Sequence, residues 1–129
     1  MAADREYLVL SRGHWDADAR PEDIQRAIDA FYQWLDGLVA AGRMRRGQRL
    51  APARRTVTRG EGVVDGPYGE AKEVIGGYWF VSAASLDEAA ALAAGNPCLR
   101  HGLSYEIRPI EHATARADVP GCETPPQPD

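Results

Sequence analysis

The most informative stretch of the chain reads Asp65-Gly66-Pro67-Tyr68-Gly69-Glu70-Ala71-Lys72-Glu73. It places a Gly-Pro turn beside several ionisable side chains, and Gly76-Gly77-Tyr78 follows almost at once. Loops on a rigid scaffold often carry function, because their backbone can direct charge into a concave surface. We therefore expect this stretch to lie beside a ligand-binding cleft and to precede a strand.

The segments that follow predict a strand, a helix and a strand. Residues 77–83 are aromatic and β-branched, as strands favour, with Tyr78 and Phe80 on one face and Trp79 on the other. A capping box of Ser85 and Glu88 begins a helix over 86–94. Residues 104–108 alternate between polar and apolar, which predicts a last strand with one wet face.

The segments that precede the stretch predict a strand, a helix and further strands. Residues 7–10 form a short apolar run typical of a buried strand. A stripe of apolar residues at helical spacing then predicts a helix that starts near Pro21 and ends near Gly42. We expect strands at 43–50, 54–58 and 63–64, the last two as a hairpin, and a bulge or close backbone approach at Gly47.

This order predicts an α+β fold of the split βαβ type, in which two helices cover one face of a mostly antiparallel sheet. Two helices cannot cover the second face as well. We therefore expect a homodimer with its sheets face to face.

Composition limits the class of protein. The chain has 129 residues, 44% of them hydrophobic and 26% charged, enough for one domain over residues 1–112. The Pro-rich residues 113–129 predict a disordered tail. Without a bilayer-length apolar run or a signal-like N-terminus, we expect no membrane association and a cytoplasmic location. Two cysteines without zinc-ligand spacing predict neither a disulfide framework nor a metal site.

Charge is uneven along the chain. The net charge is −4, which disfavours nucleic-acid binding overall, yet residues 43–59 contain seven arginines and no acid. Three interpretations stay open for this segment: solvated edge strands, a small-anion site and a nucleic-acid surface. No aromatic residue interrupts the arginines, so the stacking platform of a single-strand binder is missing.

The opening stretch resembles the signature of the DGPF branch of the YCII-related proteins, usually Asp-Gly-Pro-Phe-Ala-Glu-(Thr or Ser)-Lys-Glu. The resemblance extends to segments 76–78, 85–89 and 106–109 and covers roughly residues 6–112. Two positions depart from the signature. Tyr68 replaces Phe and adds a hydroxyl, and Gly69 replaces Ala.

The resemblance implies a ferredoxin-like fold that pairs into a dimeric α/β barrel with a cleft in each protomer. Members are suggested to be enzymes, because YCII-like proteins carry a His and Asp pair in the cleft. One branch is linked to dehydrochlorination of a chlorinated hydroquinone. Other members lie beside, or are fused to, extracytoplasmic-function sigma factors, which implies a transcription-regulator partner.

Four residues are candidates for catalysis. Asp65 is a candidate general base, if a partly dry pocket raises its pKa, or else it fixes the turn. His14 and His101 are candidate proton partners, in loops that follow the first strand and precede the last one. Tyr68 is the candidate orienting hydroxyl.

The remaining candidates would line the cleft. Glu70, Lys72 and Glu73 are ligand-binding candidates or a structural ion-pair cluster, and Trp15 and Tyr78 are candidate aromatic walls. No phosphate loop, nucleophile elbow or dinucleotide fingerprint occurs, so we expect no cofactor. Two hypotheses follow. One is small-molecule binding with cofactor-free proton transfer or elimination. The other is a non-enzymatic sensor that contacts a transcription regulator through residues 43–59.

Overall fold

The computed structural model describes residues 4–60, 62–65 and 74–126, with the backbone alone for 63–65. Its elements are, in chain order, β1 Arg5–Arg12, α1 Pro21–Ala40, β2 Met44–Arg45, β3 Arg55–Thr58, β4 Gly62–Asp65, β5 Ile75–Ala83, α2 Leu86–Ala93, a 3-10 helix Pro97–His101, and β6 Ser104–Pro109. From Ile110 to 126 the chain forms only turns and irregular structure.

Four strands form an antiparallel sheet in the order β2-β5-β1-β6, and β3 and β4 form a separate antiparallel hairpin. Without the hairpin, the element order is βαββαβ, and the two central strands are the first and third. This confirms the predicted α+β, ferredoxin-like fold with two helices and an antiparallel sheet.

Both helices begin and end as their sequences predict. Arg20 makes no side-chain cap bond to α1, but Pro21 occupies the first turn. At the other end Gly42 has φ +76°, and the N–H of Arg43 donates to the Leu38 carbonyl at 2.9 Å. This is a Schellman ending, which needs a left-handed residue after the helix. The N–H of Glu88 donates to Ser85 Oγ at 3.1 Å, which caps α2.

The sheet has one covered and one uncovered face. Alternate residues of β1 and β5 are buried beneath the helices, among them Val9, Trp79 and Val81. Leu8, Leu10, Tyr78 and Phe80 point to the other side and are half-buried. The prediction that Trp79 lies opposite Tyr78 and Phe80 is thus confirmed.

The edge next to β5 contains the irregularity expected at Gly47. β2 pairs Met44 with Val81, whereas the isolated bridge further along pairs Arg49 with Gly77. One extra residue therefore lies between the two pairings, which is the count that defines a bulge. A side chain at 47 would collide with Tyr78, since a Cβ there would lie 2.1 Å from the Tyr78 carbonyl oxygen. Both a bulge and a close backbone approach are present.

Among the described residues, no helix combines the length and the apolar character that crossing a bilayer would require.

Candidate functional site

A cavity of about 400 Å³ lies between α1 and the covered face of the sheet. Its size suits a small ligand. The described residues that line it are Ser11, Phe31, Tyr32, Leu35, Arg46, Gly47, Gln48, Arg49, Gly76, Gly77, Tyr78, Trp79, Cys98, Leu103 and Tyr105.

Strand register explains why the space is there. Ser11 lies opposite Gly77 on one side and Tyr105 on the other, and Gly77 is bridged to Arg49. One row across the sheet thus runs Arg49, Gly77, Ser11, Tyr105, with its two smallest residues in the centre. The next row contains Trp79, Val9 and Ile107, whose side chains fill the corresponding space. Gly77 has no room for a side chain, because a Cβ would lie 3.0 Å from the Gln48 carbonyl oxygen.

Aromatic rings form the walls. The ring of Phe31 lies 5.4 Å from that of Trp79 and 5.2 Å from that of Tyr32, and Trp79 in turn lies 5.2 Å from Tyr105. These are edge-to-face contacts, which stabilise aromatic clusters by about 0.5–1.5 kcal/mol for each pair. The walls are therefore well suited to a flat, apolar ring.

One end of the cavity is polar. The Tyr105 hydroxyl interacts with the side chains of Ser11, Cys98 and Asn96, three residues that belong to three different elements or connections. Asn96 holds the 3-10 helix in place, since its Oδ1 accepts from the Cys98 N–H at 2.9 Å. Its buried Nδ2 has no hydrogen bond of normal geometry to another described residue. This end therefore presents hydroxyl and thiol groups to a ligand, from Ser11, Cys98 and Tyr105.

Burial keeps the acidic groups at this end protonated. Desolvation raises the pKa of the Cys98 thiol above its ordinary value of 9.0, although Tyr105 and Arg49 act in the opposite direction. Desolvation, and then the neighbouring Cys98, raise the pKa of the Tyr105 phenol as well. At neutral pH Tyr105 is therefore a hydrogen-bond donor, and Cys98 is a thiol rather than a nucleophilic thiolate.

The charged groups among the described lining residues are both cations. Arg46 forms an ion pair with Asp36 on α1. Within the described residues Arg49 has no acidic partner within 4.0 Å, although it lies close enough to Cys98 to influence its pKa. Its charge is therefore available to an anionic ligand.

The histidine loops meet beside this site without lining it. The N–H of Asp16 donates to the His101 carbonyl at 2.7 Å, and the N–H of Gly13 donates to Val74 at 2.9 Å. His14 is exposed, while His101 and Trp15 are half-buried. None of the three belongs to the lining residues that the structure describes. Of the predicted site residues, Tyr78 alone is in that set, although its ring packs beside Phe80 on the face of the sheet opposite α1.

The other predicted residues cannot be placed around the cavity. Asp65 ends β4, where its backbone is paired with Arg55, and its side chain is not described. Tyr68, Glu70, Lys72 and Glu73 lie outside the described residues. Their roles stay predictions.

The comparison with known families adds the next finding. A model of the YCII-related domain matches residues 6–112, which is most of the chain. The chain belongs to the YCII-related family. Comparison with curated protein sequences finds no match.

In this YCII-related domain, sequence reasoning missed the polar end of the cavity. The sequence places Tyr105 in an alternating strand, and a phenol on the covered face is itself a signal, because a buried phenol needs polar partners. In the sequence Arg49 is one of seven arginines in its segment, and Cys98 shows neither zinc-ligand spacing nor a disulfide framework. Tyr105 and Arg49 reach the same cavity only through the pairing of strands, which brings together residues far apart in the chain.

The arginine-rich segment divides into distinct roles. Arg43 pairs with Glu88, Arg45 with Glu6 at 2.8 Å, and Arg46 with Asp36. These contacts bind the segment to α2, β1 and α1. Exposed ion pairs contribute only about 0–1 kcal/mol each, so they position the chain more than they stabilise it.

Among the described residues, no group of three or more His, Cys, Asp or Glu side chains could hold a metal ion.

Proposed function

We propose that this YCII-related protein binds a small aromatic molecule in the cavity between α1 and the sheet, and that it catalyses proton transfer or elimination on that molecule without a cofactor. The observation that carries the binding step is the cavity of about 400 Å³, with aromatic walls and a polar end. A largely apolar pocket with a few convergent polar groups is the usual form of a small-molecule site.

Binding is tested with phenol as the probe and isothermal titration calorimetry as the measurement. At about −0.4 kcal/mol per non-hydrogen atom, a probe of this size binds only in the millimolar range or weaker. The Leu103→Phe variant narrows the cavity and should weaken the binding, whereas the exposed Arg54→Gln variant should retain it. Equal binding by the wild type and the folded Leu103→Phe variant would place the ligand elsewhere.

The reaction step rests on the sequence. Asp65 is its base, His14 or His101 the proton partner, and Tyr68 the orienting hydroxyl. Support comes from the loops that contain His14 and His101, which meet each other near Gly13. Gly13 is hydrogen-bonded to Val74, and Val74 is the first described residue after the Asp65–Glu73 stretch. In deuterium oxide, the wild type should exchange the methyl protons of 4-hydroxyacetophenone, which the neighbouring carbonyl makes acidic. Asp65→Asn should lose this exchange and keep binding. An unchanged exchange rate in that variant removes Asp65 from the mechanism.

The proposed assembly is a homodimer through the uncovered face of the sheet. Leu8, Leu10, Tyr78 and Phe80 form an apolar surface there, and the guanidinium of Arg45 stacks on Phe80 at 3.9 Å. Paired charges flank it, including Arg12 with Glu106. Sedimentation at micromolar concentration should give twice the chain mass, and Leu8→Glu should give monomers. A wild-type monomer at that concentration contradicts the assembly.

A further inference from the structure

The row Arg49, Gly77, Ser11, Tyr105 crosses the sheet beneath α1, and its two ends differ in chemistry. Arg49 supplies a cation at one end, and Tyr105 supplies a hydroxyl at the other. All four residues line the cavity. Gly77 and Ser11 place no large side chain between these ends. The backbone of Gln48 and Arg49 closes over Gly77, so a ligand that meets both ends lies over Ser11.

From this arrangement we infer that the ligand of the cavity is a hydroxyaryl carboxylate, whose carboxylate is bound by Arg49 and whose hydroxyl is bound by Tyr105. The inference rests on the proposed binding function and names the class of molecule that the same site takes. Tyr105 and Arg49 are accordingly binding residues that determine specificity.

The electrostatic evidence concerns the Arg49 end. Arg46 is paired with Asp36, but Arg49 has no acidic partner within the described residues, and no described lining residue is acidic. A guanidinium offers two parallel N–H donors that match the two oxygens of a carboxylate. An aryl carboxylate can accept both of these hydrogen bonds and also carries the opposite charge. A neutral amide of the same shape carries no charge, so it should bind Arg49 more weakly.

The hydrogen-bonding evidence concerns the Tyr105 end. Three side chains, those of Ser11, Cys98 and Asn96, converge on the Tyr105 hydroxyl. Asn96 is 3% exposed and is not itself a lining residue, whereas Ser11, Cys98 and Tyr105 all line the cavity. A ligand oxygen beside these groups can form hydrogen bonds with them, and a ring without such an oxygen cannot.

The span of the row sets the size of the ligand. Three interstrand spacings of about 4.8 Å separate Arg49 from Tyr105, about 14 Å between their Cα atoms. Side chains stand roughly perpendicular to a sheet, so this distance is not taken up by the side chains themselves, and a ring with substituents at opposite ends can extend from one group to the other. Trp79 and Phe31, which are in edge-to-face contact 5.4 Å apart, provide the apolar wall for that ring.

Four probes separate the two contacts in a calorimetric titration: 4-hydroxybenzoate, benzoate, 4-hydroxybenzamide and phenol. We expect the wild type to bind 4-hydroxybenzoate most tightly. A hydrogen bond to a charged group contributes about 1.5–3 kcal/mol, so Arg49→Gln should weaken 4-hydroxybenzoate and benzoate about tenfold or more and leave 4-hydroxybenzamide within about twofold. Tyr105→Phe should weaken 4-hydroxybenzoate, 4-hydroxybenzamide and phenol, and leave benzoate within about twofold.

Arg54→Gln is the matched control for charge, because Arg54 is exposed and is not a lining residue, and it should change none of the four affinities. Two results would overturn the inference. One is an equal loss of the acid and the amide in Arg49→Gln. The other is an equal loss of benzoate and 4-hydroxybenzoate in Tyr105→Phe, which would make Tyr105 a structural residue.

The proposed function fails in a different way. If phenol and 4-hydroxybenzamide do not bind either, the cavity does not accept aromatic rings, and both proposals are wrong. If these neutral probes bind and the carboxylate adds no affinity, the cavity binds aromatic molecules but the assigned ligand class is wrong. Arg49 is exposed, so its variant should fold even if Tyr105→Phe does not.

Discussion

The two ends of β5 are covered in different ways by the same helical layer. At the end that carries Val81 and Ala83, both residues are 0% exposed, and α2 packs on the sheet through Ala89 and Ala93. At the end that carries Gly77, the layer leaves a cavity of about 400 Å³. One strand therefore passes from a sealed core into a candidate binding site within a few residues.

Side-chain size in each cross-strand row accounts for the difference. Val81 and Tyr7 fill their row at the sealed end, whereas Gly77 and Ser11 place no large side chain in theirs. The alanines of α2 also allow close contact with the sheet, while the larger Phe31 and Leu35 of α1 line the opening. The candidate site therefore depends on two small residues that lie opposite each other on neighbouring strands, Gly77 and Ser11, and the architecture of the sheet is the same at both ends.

A pair of enlarging substitutions gives the largest expected effect. Ala89→Leu at the sealed end should lower the free energy of unfolding by about 1–3 kcal/mol, because a filled core must rearrange to take in extra atoms. Leu103→Phe at the cavity end should raise it by about 0.5 kcal/mol, since the added ring enters existing space. Urea unfolding followed by circular dichroism measures both changes.

The comparison between the two ends would be wrong if the two substitutions were equally destabilising. In that case the cavity end would be as tightly packed as the sealed end. The Leu103→Phe variant is also used in the phenol titration, so its stability shows whether weaker binding reflects a narrower site or a damaged fold.

Local signals and adjacent strands account for what the sequence predicted correctly. Ser85, Glu88 and Gly42 each act within a few residues of their own helix end, so their effect is visible in sequence. The bulge at Gly47 follows from a glycine inside the strand predicted over 43–50, of which the structure retains Met44–Arg45 and an isolated bridge at Arg49. In the structure the loops that contain His14 and His101 meet because the first strand pairs with the last.

The cavity was beyond sequence reasoning for a physical reason. Alternation tells which face a residue occupies, but the row Arg49, Gly77, Ser11, Tyr105 draws on four separate segments. A shift of one strand by two residues would keep every face assignment and remove the row. The relation of Asp65 to the histidines is likewise set by tertiary structure, and its side chain lies outside the described part.

A smaller effect, in the dependence of stability on pH, sharpens the comparison at the cavity end. Burial raises the pKa of the Cys98 thiol and of the Tyr105 phenol above their ordinary values of 9.0 and 10.0. As the pH rises through about 9, the unfolded chain releases protons that the folded chain retains. Because the unfolded state then binds fewer protons than the native state, the free energy of unfolding falls with pH. The slope is at most about 1.4 kcal/mol per pH unit for each group.

Urea unfolding between pH 7 and pH 10 measures this slope. Tyr105→Phe and Cys98→Ser should each flatten the decline, because each removes one group that holds its proton in the folded state. Cys122→Ser is the matched control, since Cys122 is exposed and lies beyond β6, and it should keep the wild-type slope. A steep decline in the double variant Cys98→Ser/Tyr105→Phe would show that other groups cause it. The polar end of the cavity would then be as well solvated as the protein surface, and it would not differ from the surface in its effect on the pKa of Cys98 and Tyr105.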